Sequence, residues 1–230
     1  MKTAILIVSD GDTAECLQAS GNLDPAATAR LVTRVHPDWT GATTDGATLG
    51  DAFYPEGGQV YAGSFPSVDI LCDRTVMVDR PSELTPHLVA LGAGRRLVLH
   101  TMHSVSDFFA YGIWEDGTLV RSLSLSPGDG VTENIGEPLP FEEPFWAGEH
   151  PVGNRYPLPF HPLELGEGGA LKALFGMTVR FEDPVRSIRL NGFTVPYADP
   201  VTPEMLEEFR QTHKRTRYRL VDGKLVKVEE

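Results

Sequence analysis

The chain is short of cysteine, of long apolar runs and of positive charge. Cys16 and Cys72 are its two cysteines in 230 residues, too few for a disulfide framework and spaced like no zinc site. They are expected as small, apolar thiols. No stretch approaches the roughly 18 consecutive apolar residues of a membrane helix. The opening run Ala4–Val8 ends at once in Ser9-Asp10-Gly11-Asp12. It is too short for a secretory signal and lacks a small-residue cleavage site, so a cytoplasmic location is expected. Lys and Arg number 20 against 32 Asp and Glu, a net charge of −12. A phosphodiester backbone or an anionic membrane calls for clustered cations, so neither nucleic acid nor membrane is expected as a partner. Also missing are a Walker A lysine, a nucleophile elbow and a His-Glu-x-x-His helix. Gly92-Ala93-Gly94 follows a helix pattern and reads as its cap, not as a dinucleotide loop.

What is present is an ordinary globular composition, 41% hydrophobic and 23% charged, with no repeat of fixed period. Ala4–Val8 is continuously apolar and predicts a strand buried on both faces. Asp24-Pro25, an N-cap followed by Pro at the first helical position, opens a helix to Val35, stopped by His36-Pro37. Short helices are predicted over Thr13–Ser20, Ser82–Leu91 and Glu167–Phe175. Strands are predicted over Gln59–Gly63, Val68–Cys72, Arg96–Met102, Thr178–Phe181 and Ser187–Val195. Residues 41–58 read as a loop with one short strand.

Asp116-Gly117 between Phe108–Glu115 and Thr118–Ser126 is a strong two-residue hairpin signal. An unbroken register places Trp114 opposite Leu119 and Arg121 opposite Gly112, with Arg121 sharing a face with Trp114, Leu119 and Leu123. Pro127–Pro162 holds eight prolines and five glycines, which excludes regular structure on average. It also carries Phe141, Phe145, Trp146, Tyr156 and Phe160, whose rings argue against disorder. An ordered strap across the core is expected. Residues 203–230 carry seven Lys and Arg against six Asp and Glu, unlike the acidic body. A helix over Glu204–Lys214 and a hairpin over Tyr218–Val228 with an Asp222-Gly223 turn are expected there.

Several segments resemble a family of actinobacterial proteins of unknown function. They are His100-Thr101-Met102-His103-Ser104, Asp107-Phe108-Phe109-Ala110-Tyr111, Arg121-Ser122-Leu123-Ser124-Leu125-Ser126, the run Glu133 to Glu142, Tyr156 to Pro162, and Leu174-Phe175-Gly176. The resemblance covers roughly residues 1–195 and stops before the tail. It implies a bacterial, cytosolic setting and transfers no catalytic residue.

Three constellations are candidates for chemistry. Asp10 and Asp12 follow the first buried strand, where paired carboxylates hold Mg²⁺ or act as nucleophile and acid. Ala14 stands where a phosphatase motif has threonine, and an Asp-Gly turn with an Asp helix cap fits the same letters. His100, His103 and Asp107 supply two imidazoles and a carboxylate. Residues i and i+3 of a strand point to opposite faces, however, so convergence requires the chain to turn near Met102. Arg121, on an apolar face, needs an anionic partner. Glu133, Glu137, Glu142 and Glu143 of the strap are the supply, and the pairing is either a structural lock or part of an anion-recognition site using Arg121, Glu133, Asn134 and Glu142. Glu142-Glu143 fails as a glycosidase pair, because adjacent extended residues point apart.

The expectation is an α+β protein with a mixed, largely antiparallel sheet flanked by helices, residues 1–195 forming one domain and 196–230 a helix–hairpin appendage. A binding module for a small molecule or a protein, with its site under the strap and with no metal or cofactor, is expected ahead of a hydrolase or metal-dependent enzyme built on Asp10, Asp12, His100, His103 and Asp107.

Overall fold

A computed structural model describes residues 2–153, 156–178 and 183–197, together with the strands at 217–221 and 224–228. The chain divides into two compact units, Met1–Pro196 and Tyr197–Glu230. In the second, Arg217–Val221 pairs antiparallel with Lys224–Val228. The helix expected over Glu204–Lys214, and all but the first residue of the strand expected over Thr178–Phe181, lie outside the described residues.

The first unit is built on nine strands: β1 (Lys2–Ser9), β2 (Thr43–Thr48), β3 (Gln59–Ser64), β4 (Val68–Asp73), β5 (Arg96–His103), β6 (Phe108–Glu115), β7 (Thr118–Ser126), β8 (Gly130–Ile135) and β9 (Arg189–Thr194). They form one sheet in the order β2-β9-β3-β4-β1-β5-β6-β7-β8. Each pairing among these strands is antiparallel. The α+β class holds, with the sheet antiparallel throughout. β1 lies between β4 and β5, as its unbroken apolar run requires.

Side chains alternate across the sheet and two apolar layers result. Ile5, Ile7, Cys72, Val98, Tyr111 and Leu123 face one layer, with Leu17 of α1 (Thr13–Gln18) and, from the strap and the helix after it, Phe145, Phe160 and Phe175. Ala4, Leu6, Val8, Leu71, Leu99 and Trp114 face the other, covered by Leu31, Val32 and Val35 of α2 (Pro25–Val35) and by Leu84, Leu88 and Leu91. Asp24 caps α2 as expected, accepting from the Ala26 and Ala27 amides at 2.8 and 2.9 Å.

The β6–β7 turn forms as read, Asp116 and Gly117 both at positive φ, 48° and 74°, and Trp114 pairs with Leu119. The register beyond it differs. A bulge at Val120 brings Arg121 opposite Ile113 and Ser122 opposite Gly112. One inserted residue exchanges the faces of everything after it. Arg121, Leu123 and Leu125 therefore join Tyr111 and Phe109, while Trp114 and Leu119 remain on the opposite side. Gly112 makes no room for Arg121. A Cβ there would meet the Trp114 ring and Pro81.

The strap is ordered, and its first part is regular. β8 pairs with β7 along Gly130–Ile135. Its prolines are concentrated from Pro138 onward, so the average over 36 residues hid a proline-free strand. Two further differences have local causes. The single helix expected over Ser82–Leu91 is broken into turns at Pro81–Glu83, Pro86–Val89 and Ala90–Gly92, because Leu84 and Thr85 before Pro86 are extended. The helix expected from Glu167 begins at Pro162 and passes through a π-helical turn, Leu165–Ala170, before ending at Gly176 with φ 62°. Residues 41–58 hold β2 and one helical turn, Leu49–Ala52.

The bulge has a check. Gly136 has φ +77° and a Cβ would collide with the Val120 carbonyl oxygen, whereas Gly130, at φ +74°, faces open space. Gly130→Ala should cost about 1 kcal/mol, from the left-handed backbone alone. Gly136→Ala should cost clearly more, about 3 kcal/mol, by urea denaturation. Equal losses would mean that β8 does not end against the bulge.

Candidate functional site

Among the described residues Arg121 is the most deeply buried Lys or Arg, 2% exposed, and it lies against Glu142 at 0%. Its Nε donates to Glu142 Oε1 at 2.9 Å and its Nη2 to Oε2 at 2.5 Å, a two-point contact. Nη1 donates to the Asn134 Oδ1 at 2.6 Å and to the carbonyls of Ile135 and Ser122 at 2.8 and 3.0 Å. Glu142 also accepts from the Tyr111 hydroxyl at 2.5 Å and the Leu139 amide at 2.8 Å. Burial alone would raise the Glu142 carboxyl, but the Arg121 guanidinium, the Leu139 amide and the Tyr111 hydroxyl hold it below the usual carboxylate range. Burial and the adjacent carboxylate push the Tyr111 phenol well up. Each group of the pair is answered from within the protein, and the guanidinium is engaged along both of its edges. This is a lock between β7 and the strap. Neither end is open to an external anion.

Of the four glutamates expected near Arg121, Glu142 takes it. Glu133 lies on the opposite face of the sheet, accepting from the Ser82 amide at 3.0 Å and from the Ser82 and Ser122 hydroxyls. Asn134 contributes its side-chain oxygen to Arg121. The strap's rings pack on the same layer, Phe160 and Phe145 buried and Phe141, Trp146 and Tyr156 half-buried.

The five Asp and His candidates do not come together. Ser9 pairs with Arg96 and Lys2 with His103, so Asp10 and Asp12 lie at one end of β1 and His103 at the other, roughly 23 Å apart at the usual strand rise. Asp10 accepts from Arg95 Nε at 2.6 Å. Asp12 caps α1 through the Glu15 amide at 3.0 Å. β5 runs through to His103 without turning, so its two histidines face opposite layers. His100 is enclosed by Phe53, Phe109 and Phe175. Its Nε2 donates to the Gly166 carbonyl at 3.2 Å and its Nδ1 has no partner. Burial depresses it to about 4. Asp107 turns toward His161, 3.5 Å away, and accepts from the Tyr156 hydroxyl at 3.4 Å. Among the described residues no three His, Cys, Asp or Glu side chains are grouped to hold a metal.

A feature that no local pattern signals lies at the His103 end of β1. Lys2, Arg74 and His103 line a cleft of about 310 Å³ with Tyr54, Pro55 and Glu56. Lys2, Arg74 and His103 are far apart in sequence. Only the pairing of β1 with β4 and β5 brings them to one edge.

Two outcomes follow from this geometry. Arg121→Leu should destabilise by about 3–5 kcal/mol, because Glu142 is left buried and unpaired. Arg121→Leu with Glu142→Leu should recover a large part of that loss, read as a coupling in urea denaturation. The second outcome concerns pH. His100 is held neutral in the fold, so the unfolded chain protonates first as pH falls below about 6.5. Stability should decline from there to about pH 4, by about 3 kcal/mol in all. Glu142 adds its own loss only further down, as pH falls through its lowered value. His100→Gln, which keeps a donor for Gly166, should remove most of the first decline, leaving the smaller part due to His103, and should leave the second, in denaturation curves taken at stepped pH.

No curated protein and no solved structure matches the chain. A family model, described as a family of unknown function, matches residues 3–196. The match takes in the sheet from Thr3 of β1 onward, the Arg121–Glu142 lock and the cleft residues from Tyr54 to His103, and begins just after Lys2. The chain belongs to this family of unknown function, DUF6928.

Proposed function

We propose that this protein is a non-enzymatic binding module whose ligand meets it at the open end of the sheet and not beneath the strap. The observation that carries the reading is the separation of Asp10 and Asp12 from His103 and Asp107 by the length of β1. General acid–base work needs its groups within hydrogen-bond reach of one reacting atom, and this fold keeps them apart. The second support is the closure of the Arg121 cluster, which withdraws Arg121 and Glu142 from outside contact and commits the Asn134 side-chain oxygen to Arg121.

The setting proposed is the bacterial cytoplasm. Cys16 and Cys72 are both free thiols, which suits a reducing compartment, and no helix among the described residues is long and apolar enough to cross a membrane.

The reading is tested by exposing the purified protein to chromogenic acetate and phosphate esters between pH 5 and 9. Release at the rate of buffer alone is the expected result. Turnover that disappears in His103→Ala or in Asp10→Asn would replace the binding module with a hydrolase.

A further inference from the structure

Three of the clefts on the described surface differ in the kind of charge they hold. The cleft at the Asp10 end of β1 holds Arg95 and Arg96, but both are already matched. Arg95 contacts Asp10 and Asp69 at 2.6 Å each, and Arg96 contacts Glu115 at 2.9 Å. The cleft beside β8 is lined by Asp79, Glu83 and Asp129, with Arg80 paired to Glu83 at 3.5 Å. The third, at the His103 end, brings Lys2, Arg74 and His103 together, and neither Lys2 nor Arg74 has a carboxylate within ion-pair distance among the described residues. Its one acid, Glu56, is exposed and unpaired by the same measure. A chain of net charge −12 thus leaves two permanent cations unanswered on one concave surface.

The His103 ring adds a donor. Its Nδ1 lies 3.0 Å from the Ser106 hydroxyl, and Nε2 has no partner among the described residues. Burial, then the charges of Lys2 and Arg74, hold the free imidazole below its ordinary value. Beside these groups stand Pro55, buried, and Tyr54, a large ring left 41% exposed. An ammonium, a guanidinium and an imidazole within one cleft are donors suited to a tetrahedral oxyanion. A flat apolar wall next to them suits an organic group on that anion. The volume, about 310 Å³, falls at the small end of ligand sites.

We propose that this cleft binds a small phosphate monoester, its phosphate held by Lys2, Arg74 and His103 and its organic part laid against Tyr54 and Pro55. The assignment rests on the binding-module reading and supplies its ligand class.

Phenyl phosphate is the probe, with inorganic phosphate and chloride at matched ionic strength as comparisons, followed by thermal melting and by the His103 ring proton in NMR. Phenyl phosphate should raise the melting temperature where chloride does not. It should also raise the His103 pKa, because a bound anion offsets Lys2 and Arg74. Lys2→Met and Arg74→Met, both at half-buried positions outside the apolar layers, should each weaken binding about tenfold while leaving the unliganded melt unchanged. Glu56→Gln should tighten it. No effect beyond chloride, or unchanged affinity in Arg74→Met, would overturn the site. Inorganic phosphate binding as tightly as phenyl phosphate would overturn the role of Tyr54 and Pro55. Release of phenol would overturn the binding-module reading while leaving the anion site in place.

Discussion

The buried pair of Arg121 and Glu142 is the constraint on which this side of the molecule depends. Two opposite charges removed from water are tolerated only when their remaining hydrogen bonds are satisfied. Here that requirement recruits the strap. Asn134, Ile135, Leu139 and the Tyr111 hydroxyl each answer one atom of the pair. The strap is rich in proline and poor in backbone pairing after β8, so it has few other means of fixing its path. The ion pair sets its position, and the rings of Phe145 and Phe160 then fill the layer beneath. Specificity of path, more than net stability, is what such a pair provides.

Much of the sheet was legible in the residues, and the reason is local. β1 is an unbroken apolar run, α2 carries its own cap and stop, and Asp116-Gly117 names its turn type. Each signal lies within a few residues of the structure it forms. The bulge at Val120 was not legible, because Val120 is as suited to a regular strand as its neighbours. It is set by Gly136, whose missing side chain lets β8 close against the Val120 carbonyl from another strand. An error of one residue there placed Arg121 on the wrong face, although the need for an acidic partner in the strap was still correct. Buried charge is a requirement that survives an error of register.

The candidate site followed the same division. Asp10, Asp12, His100, His103 and Asp107 attract notice because their types are chemical and their neighbours close in sequence. The fold places them in a turn, a helix cap, an aromatic pocket, the last position of β5 and the turn that follows it. Lys2, Arg74 and Tyr54 attract no notice in the sequence, being single polar residues in unrelated segments. They meet because antiparallel pairing aligns the start of β1 with the ends of β4 and β5.

The position of β9 has a consequence for how the molecule is made. The meander β5 to β8 is contiguous and can pair as it emerges. β3 and β2 flank β9, and β9 arrives some 130 residues after Ser64. At ordinary synthesis rates that is on the order of ten seconds. Throughout it β3 has β4 on one side and an unsatisfied edge on the other. Val60 and Ala62, later covered, then lie along an open template for foreign strands. A chain halted before Arg189 would keep that edge for good.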